Sequence, residues 1–213
     1  MRYFFLLLVF FVGACGGGTG ISLMPYEDKS SSPYDFKVCH GFGCSYQTHV
    51  ELPRQNWKKA LKPLQRKAED AEQERRNIAL VVARIESAVQ KAADLNVDLG
   101  EARTFEKDQH QMDCIDETVN SSRYLAFIEN EGLLHYHIVS DPIHRGFFVD
   151  GMWPHNSAAV EEIESGQIYA IDSYYSDNGK EVHVVALKEW LDEWRPDWLI
   201  AVPKPQRKPE RFS

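Results

Sequence analysis

The spacing of apolar residues changes along this chain, and each change marks a different kind of structure. Tyr3 to Val12 is an unbroken apolar run. It is about half the roughly 20 residues a membrane-spanning helix needs. From Trp57 to Asp94 the pattern is helical. Ala68–Arg76 is rich in strong helix formers, and Ile78, Val81, Val82, Ile85 and Val89 then recur at three and four, which places them on one face. Pro63 predicts a break or a first-turn position. A second helix is predicted from Cys114, with Ile115, Val119, Ser122, Leu125, Ala126 and Ile128 along its inner face and its end near Asn130-Glu131-Gly132. Asp113 and Asp116 stand where an N-cap and its reciprocal acid belong. From Leu133 the period falls to two. Strands are predicted at 134–139, 146–150, 155–162, 167–174 and 182–187, antiparallel, with Glu164-Ser165-Gly166 as one turn. A short helix over 187–194, stopped by Pro196, ends the pattern, and its Trp190 and Trp194 read as packing. The pattern is thus helices first and then a run of antiparallel strands.

Composition changes the picture at the two ends. Arg2, the apolar run and the small residues Gly13-Ala14 before Cys15 have the order of an export signal. Val12-Gly13-Ala14-Cys15 resembles the lipobox of bacterial lipoproteins. That resemblance implies a signal peptide over 1–14, with cleavage before Cys15 and acylation of Cys15, and so a firm lipid anchor. The stretch 15–34, with Gly16-Gly17-Gly18-Thr19-Gly20 and Lys29-Ser30-Ser31-Ser32-Pro33, reads as a flexible tether. One domain is expected over 35–202, and the basic, proline-rich 203–213 reads as a solvated tail. A net charge of −8 argues against nucleic acid as a partner and against surface electrostatics as the membrane attachment.

Four cysteines are present. Acylation of Cys15 leaves three. In an oxidising compartment Cys39 and Cys44 are close enough to pair across Gly41-Phe42-Gly43, which leaves Cys114 as the odd thiol. Cys39-His40, Cys44 and His49 do not have the spacing of a zinc site, and Cys-x-x-Cys-His is absent. His135 and His137 share a strand face and lie near His144, but solvent-facing strand histidines are commoner than ligands. No metal and no other cofactor is expected.

Cys114, His155 and Asp172 carry the candidate chemistry. A thiol in the first turn of a helix, a base on a strand and a carboxylate on the next strand are the parts of a nucleophilic cysteine site. The helix start favours a thiolate, while Asp113, Asp116 and Glu117 oppose one, so a cationic His155 is needed to yield a low-pKa thiol. The Cys114 backbone N–H, with Gln111 or Gln109, would supply the oxyanion donors. The hairpin leaves two registers open. A four-residue loop with Glu161 facing Gly166 sets His155 opposite Asp172, and a two-residue Ser165-Gly166 turn sets Asp172 opposite Ala159.

These residues resemble the transglutaminase-like superfamily, and its bacterial exported cysteine-peptidase branch in particular. The resemblance covers about residues 110–175. It rests on Asp113-Cys114-Ile115-Asp116, on His155-Asn156-Ser157-Ala158-Ala159-Val160 and on Asp172-Ser173. Met112 replaces the glycine that often precedes the Asp-Cys pair, and Ile115 replaces an acid that some exported members give to calcium. The resemblance implies an α+β fold with a papain-like core, N-terminal helices packed on an antiparallel β-sheet, and a thiol hydrolase acting on an amide or peptide bond through a thioester. The alternatives are an acyltransferase that cross-links amines, and a non-catalytic binding or structural lipoprotein. The expected partners are a protein or peptide substrate and the membrane, at the bacterial cell envelope and facing the periplasm.

Overall fold

The computed structural model describes residues 22–23, 31–101, 108–146 and 154–200, the side chain of Ile200 apart. The expected signal segment, Cys15, most of the tether, the tail and the strand expected over 147–150 lie outside the described residues. Among the described residues no helix is long and apolar enough to cross a membrane.

The chain begins with an antiparallel hairpin, β1 (Asp35–His40) and β2 (Tyr46–Glu51). α1 (Arg54–Ala60), a 3-10 turn at Lys62–Leu64 that takes in Pro63, and the long α2 (Ala71–Ala92) follow. The helical region over 57–94 is broken near Pro63, as expected, and the proline sits in the first turn of the 3-10 helix, where its missing N–H is tolerated. Asp70 caps α2 by accepting from the Gln73 N–H at 2.7 Å. Ile78, Val81, Val82, Ile85 and Val89 are all buried, so the periodic face is the packed one. α3 (Cys114–Asn130) comes next, and then four strands: β3 (His137–Arg145), β4 (His155–Glu162), β5 (Ile168–Asp172) and β6 (His183–Ala186). They form one antiparallel sheet in sequence order. The short helices α4 (Leu187–Leu191) and α5 (Asp197–Ile200) close the described chain.

The sheet has different layers on its two faces. Ala158, Val160 and Ile171 join Leu125 and Ile128 of α3 and the α2 stripe in the main core. The alternate positions, Ala159 and Ala170, pack with Ile143, Val185 and Trp190 in a smaller cluster on the other face. The architecture is thus mixed helix and antiparallel sheet, with α3 against β4. Glu74 ties α2 to the sheet. It accepts from the His135 and Tyr136 N–H groups, both at 2.8 Å, and bonds the buried His137 Nδ1 at 2.9 Å. Arg75 donates to His137 Nε2 at 3.3 Å and to Glu162 at 2.5 Å. With both ring nitrogens engaged, His137 is a clamp between helix and strand. His144, which pairs with Asn156 near the far end of β3, does not join it.

Candidate functional site

α3 starts at Cys114 because Asp113 and Asp116 form a reciprocal capping box. Asp113 accepts from the Ile115 and Asp116 N–H groups at 3.0 Å, and Asp116 accepts from the Asp113 N–H at 3.1 Å. Asp116 also receives the N–H groups of Phe42 at 2.8 Å and Cys44 at 2.6 Å. These come from the loop closed by the Cys39–Cys44 disulfide, in which Gly41, Phe42, Gly43 and Cys44 all have positive φ. Successive left-handed residues point their N–H groups into one concavity, which suits a carboxylate. Among the described residues Cys39, Cys44 and Asp116 also have metal-ligand spacing, but the two sulfurs are joined to each other.

His155 opens β4 and Asp172 closes β5. The observed register pairs Ala158 with Ile171 and Glu161 with Ile168. Carried to the strand ends, it sets Asp172 beside Ser157, between the two registers the sequence left open. His155 and Asp172 are diagonal neighbours on one face, and His155 Nε2 bonds Asp172 Oδ2 at 2.8 Å, both groups buried. Trp190 Nε1 donates to the same oxygen at 2.7 Å. Burial works to raise the Asp172 pKa. The His155 bond, the Trp190 bond and the field of Arg145 outweigh it and hold the carboxyl below its ordinary value. Tyr174, Tyr175 and Trp190 surround the imidazole, with ring centroids 5.1, 5.4 and 5.5 Å away. Arg145 lies over Trp190 and donates to Tyr175 Oη at 2.8 Å. Trp190 is therefore more than packing, and nothing in the sequence pattern separates it from an ordinary core tryptophan.

The Cys114 sulfur is half-buried and its polar neighbour is Asn156, whose Nδ2 lies 3.9 Å away. Burial pushes the thiol up to about 12, and the charges of Asp113 and Asp172 add to that. The main-chain N–H and side-chain amide of Asn156 pull the other way without prevailing. Burial therefore works against the expected low-pKa thiolate, and among the described residues no thiol–imidazole bond forms to offset it. Strand alternation is the reason: Asn156 lies on the α3 side of β4, while His155 and Asp172 lie on the Trp190 side. Thiol and dyad approach the start of β4 from its two faces.

Gln111 has a different job from the expected oxyanion donor. It is buried, its Oε1 accepts from the Leu99 N–H and its Nε2 donates to the Val97 carbonyl, both at 2.9 Å, so its amide is spent on clamping that segment. Gln109 is exposed, and its main-chain carbonyl accepts from His40 Nδ1 at 2.7 Å. Behind the site, Glu117 of α3 accepts from Ser173 Oγ at 2.6 Å, which ties the helix that starts at Cys114 to the residue after Asp172. Burial raises Glu117 to about 7. Burial, with the nearby Glu117, raises Asp98 to about 10, and Glu86 is raised as well.

No family model, no curated protein and no solved structure matches this chain.

Proposed function

We propose that the protein is an exported thiol hydrolase of transglutaminase-like type, in which Cys114, His155 and Asp172 act together on an amide or peptide bond. The observation that carries this reading is the buried 2.8 Å His155–Asp172 bond, one residue along β4 from the Asn156 that meets the Cys114 sulfur. An imidazole engaged at Nε2 has Nδ1 left for a proton. Cys114 rests as a neutral thiol, so His155 is a general base. With no thiol–imidazole contact at rest, the Cys114 sulfur must turn toward His155 Nδ1, which takes the thiol proton as sulfur adds to the carbonyl carbon, and Asp172 stabilises the imidazolium. The imidazolium protonates the departing amine as the C–N bond breaks, leaving a thioester on Cys114. Water activated by the same imidazole then releases the acid, and an amine in its place makes the reaction an acyl transfer. A cysteine at the start of a helix packed on an antiparallel sheet, with histidine and aspartate on adjacent strands, supports a papain-like core. The Val12-Gly13-Ala14-Cys15 sequence and the disulfide support a lipid-anchored protein of the cell envelope with a protein or peptide substrate.

Labelling with a thiol-directed peptidyl probe tests the reading. Cys114→Ala is expected to abolish labelling, and His155→Ala to slow it by about 10²-fold or more. A Cys114→Ala protein labelled like the wild type rejects it.

One observation favours a second reading, a non-catalytic scaffold. The thiol is held near 12 and meets an amide rather than an imidazole. On that reading, His155→Ala leaves probe labelling unchanged.

A further inference from the structure

We infer that Asn156 is the oxyanion donor of this site and that His144 sets its amide; the inference rests on the proposed role of Cys114 as nucleophile. Asn156 is buried at 5% exposure. Its Oδ1 lies 3.0 Å from His144 Nδ1, the residue directly opposite on β3. Its Nδ2 is 3.9 Å from Cys114 Sγ, and its main-chain N–H faces the same sulfur. With its Nδ1 as the N–H tautomer, His144 donates to Oδ1 and so leaves Nδ2, a donor, toward the thiol. One residue therefore brings two N–H groups to bear on the reacting atom. Both are held by structure already in place, the main chain by the β3–β4 ladder and the amide by His144.

Two aligned donors beside a neutral thiol do little for the resting state, which stays protonated. Their effect comes when sulfur bonds to a carbonyl carbon, because the carbonyl oxygen then becomes an alkoxide next to the same sulfur. Donors already aimed there stabilise it without reorganising, and one such donor contributes about 10²–10³ in rate. The atoms balance within the site: the thiol proton goes to His155 and then leaves on the amine, while the C=O pair becomes the oxyanion and re-forms the carbonyl of the thioester as the C–N bond breaks. This assignment takes the place of Gln111, whose amide is committed to Val97 and Leu99.

The test compares two reactions at Cys114 in the folded, full-length protein. Acetylation by p-nitrophenyl acetate passes through an oxyanion, and alkylation by iodoacetamide does not. Asn156→Ala and the similarly sized Asn156→Leu are expected to slow acetylation by about 10²-fold or more while alkylation falls less than tenfold. If neither variant folds, His144→Phe probes the same contact by releasing Oδ1, and acetylation is expected to fall at least tenfold more than alkylation. Equal falls in both reactions, or none, overturn the role of Asn156 and leave the proposed activity standing. A wild type not acetylated at Cys114, or a Cys114→Ala protein acetylated as fast as the wild type, overturns the activity and this inference with it.

Discussion

At the scale of single residues, Asp113 pulls in two directions. Its carboxylate caps α3, and its charge raises the thiol of the neighbouring Cys114. Asparagine caps about as well as aspartate but carries no charge. Asp113→Asn is therefore expected to keep stability within about 0.5 kcal/mol and to lower the pH midpoint of Cys114 alkylation, whereas Asp113→Ala lowers that midpoint and loses about 1 kcal/mol in urea unfolding. The wild-type midpoint is expected well above the free-cysteine value of about 8.5. A wild-type midpoint below that value would mean that thiol and imidazole pair in solution after all. The cap was legible in the sequence because it depends on Asp113 and Asp116, three residues apart. Asn156 and Trp190 were not. What each touches depends on the face of a strand and on where α4 lands, and neither leaves a mark in local spacing.

Among the elements, the β1–β2 hairpin is the one the periodicity did not yield. Its turn is not a standard two-residue hairpin turn but four successive left-handed residues, two of them non-glycine, stabilised from outside by the Asp116 carboxylate and closed by the disulfide. The cysteine spacing pointed to the covalent link, while the strand pairing depended on a residue some seventy positions away. Pro142 similarly hid the true extent of β3. The sheet absorbs it where the register shifts between Ser140 and Ile143, and the strand runs on to Arg145. The β4–β5 loop has four residues, as in one of the two registers the sequence left open, but starts one residue later, with the Glu162 N–H donating to the Gln167 carbonyl at 2.8 Å. That slip preserves the shared face of His155 and Asp172. Two predictions belong to this scale. Reducing the Cys39–Cys44 bond is expected to cost about 2 kcal/mol from the entropy of so short a loop, seen as a lower urea midpoint with an unchanged slope. Gly41→Ala is expected to destabilise by more than 1 kcal/mol. Its Cβ would lie 2.4 Å from the Tyr46 ring and 3.1 Å from the Gln109 carbonyl, at a φ of +77. A Gly41→Ala protein as stable as the wild type would show that Tyr46 gives way freely.

For the whole molecule, the decisive feature is a seam of buried acids where α2, α3, the 97–99 segment and the end of β5 meet. Glu86, Asp98 and Glu117 are all under 6% exposed. Asp98 accepts from the Met112 N–H at 2.5 Å and Glu117 from Ser173, while among the described residues Glu86 Oε1 and Glu117 Oε1 have no hydrogen-bond partner. Carboxyls so placed keep their protons above about pH 4, where the unfolded chain loses them, up to their own folded values. The stability these groups contribute is full below about 4. It is lost as pH rises through about 7 for Glu117 and about 10 for Asp98. Asp172 and Glu74 work in the opposite sense. Their folded values are lowered, so their contribution is present above about 4 and is lost only in acid. Between pH 5.5 and 9 the seam should dominate, and the unfolding free energy from urea titrations is expected to fall steadily across that range. Glu117→Gln, which keeps an acceptor for Ser173 and cannot ionise, is expected to flatten the decline, most of all below about pH 7. A wild-type profile that is level or rising over this interval would mean that the seam takes up water or a counter-charge on ionising, and that α3 is not held to the dyad strand by protonated acids.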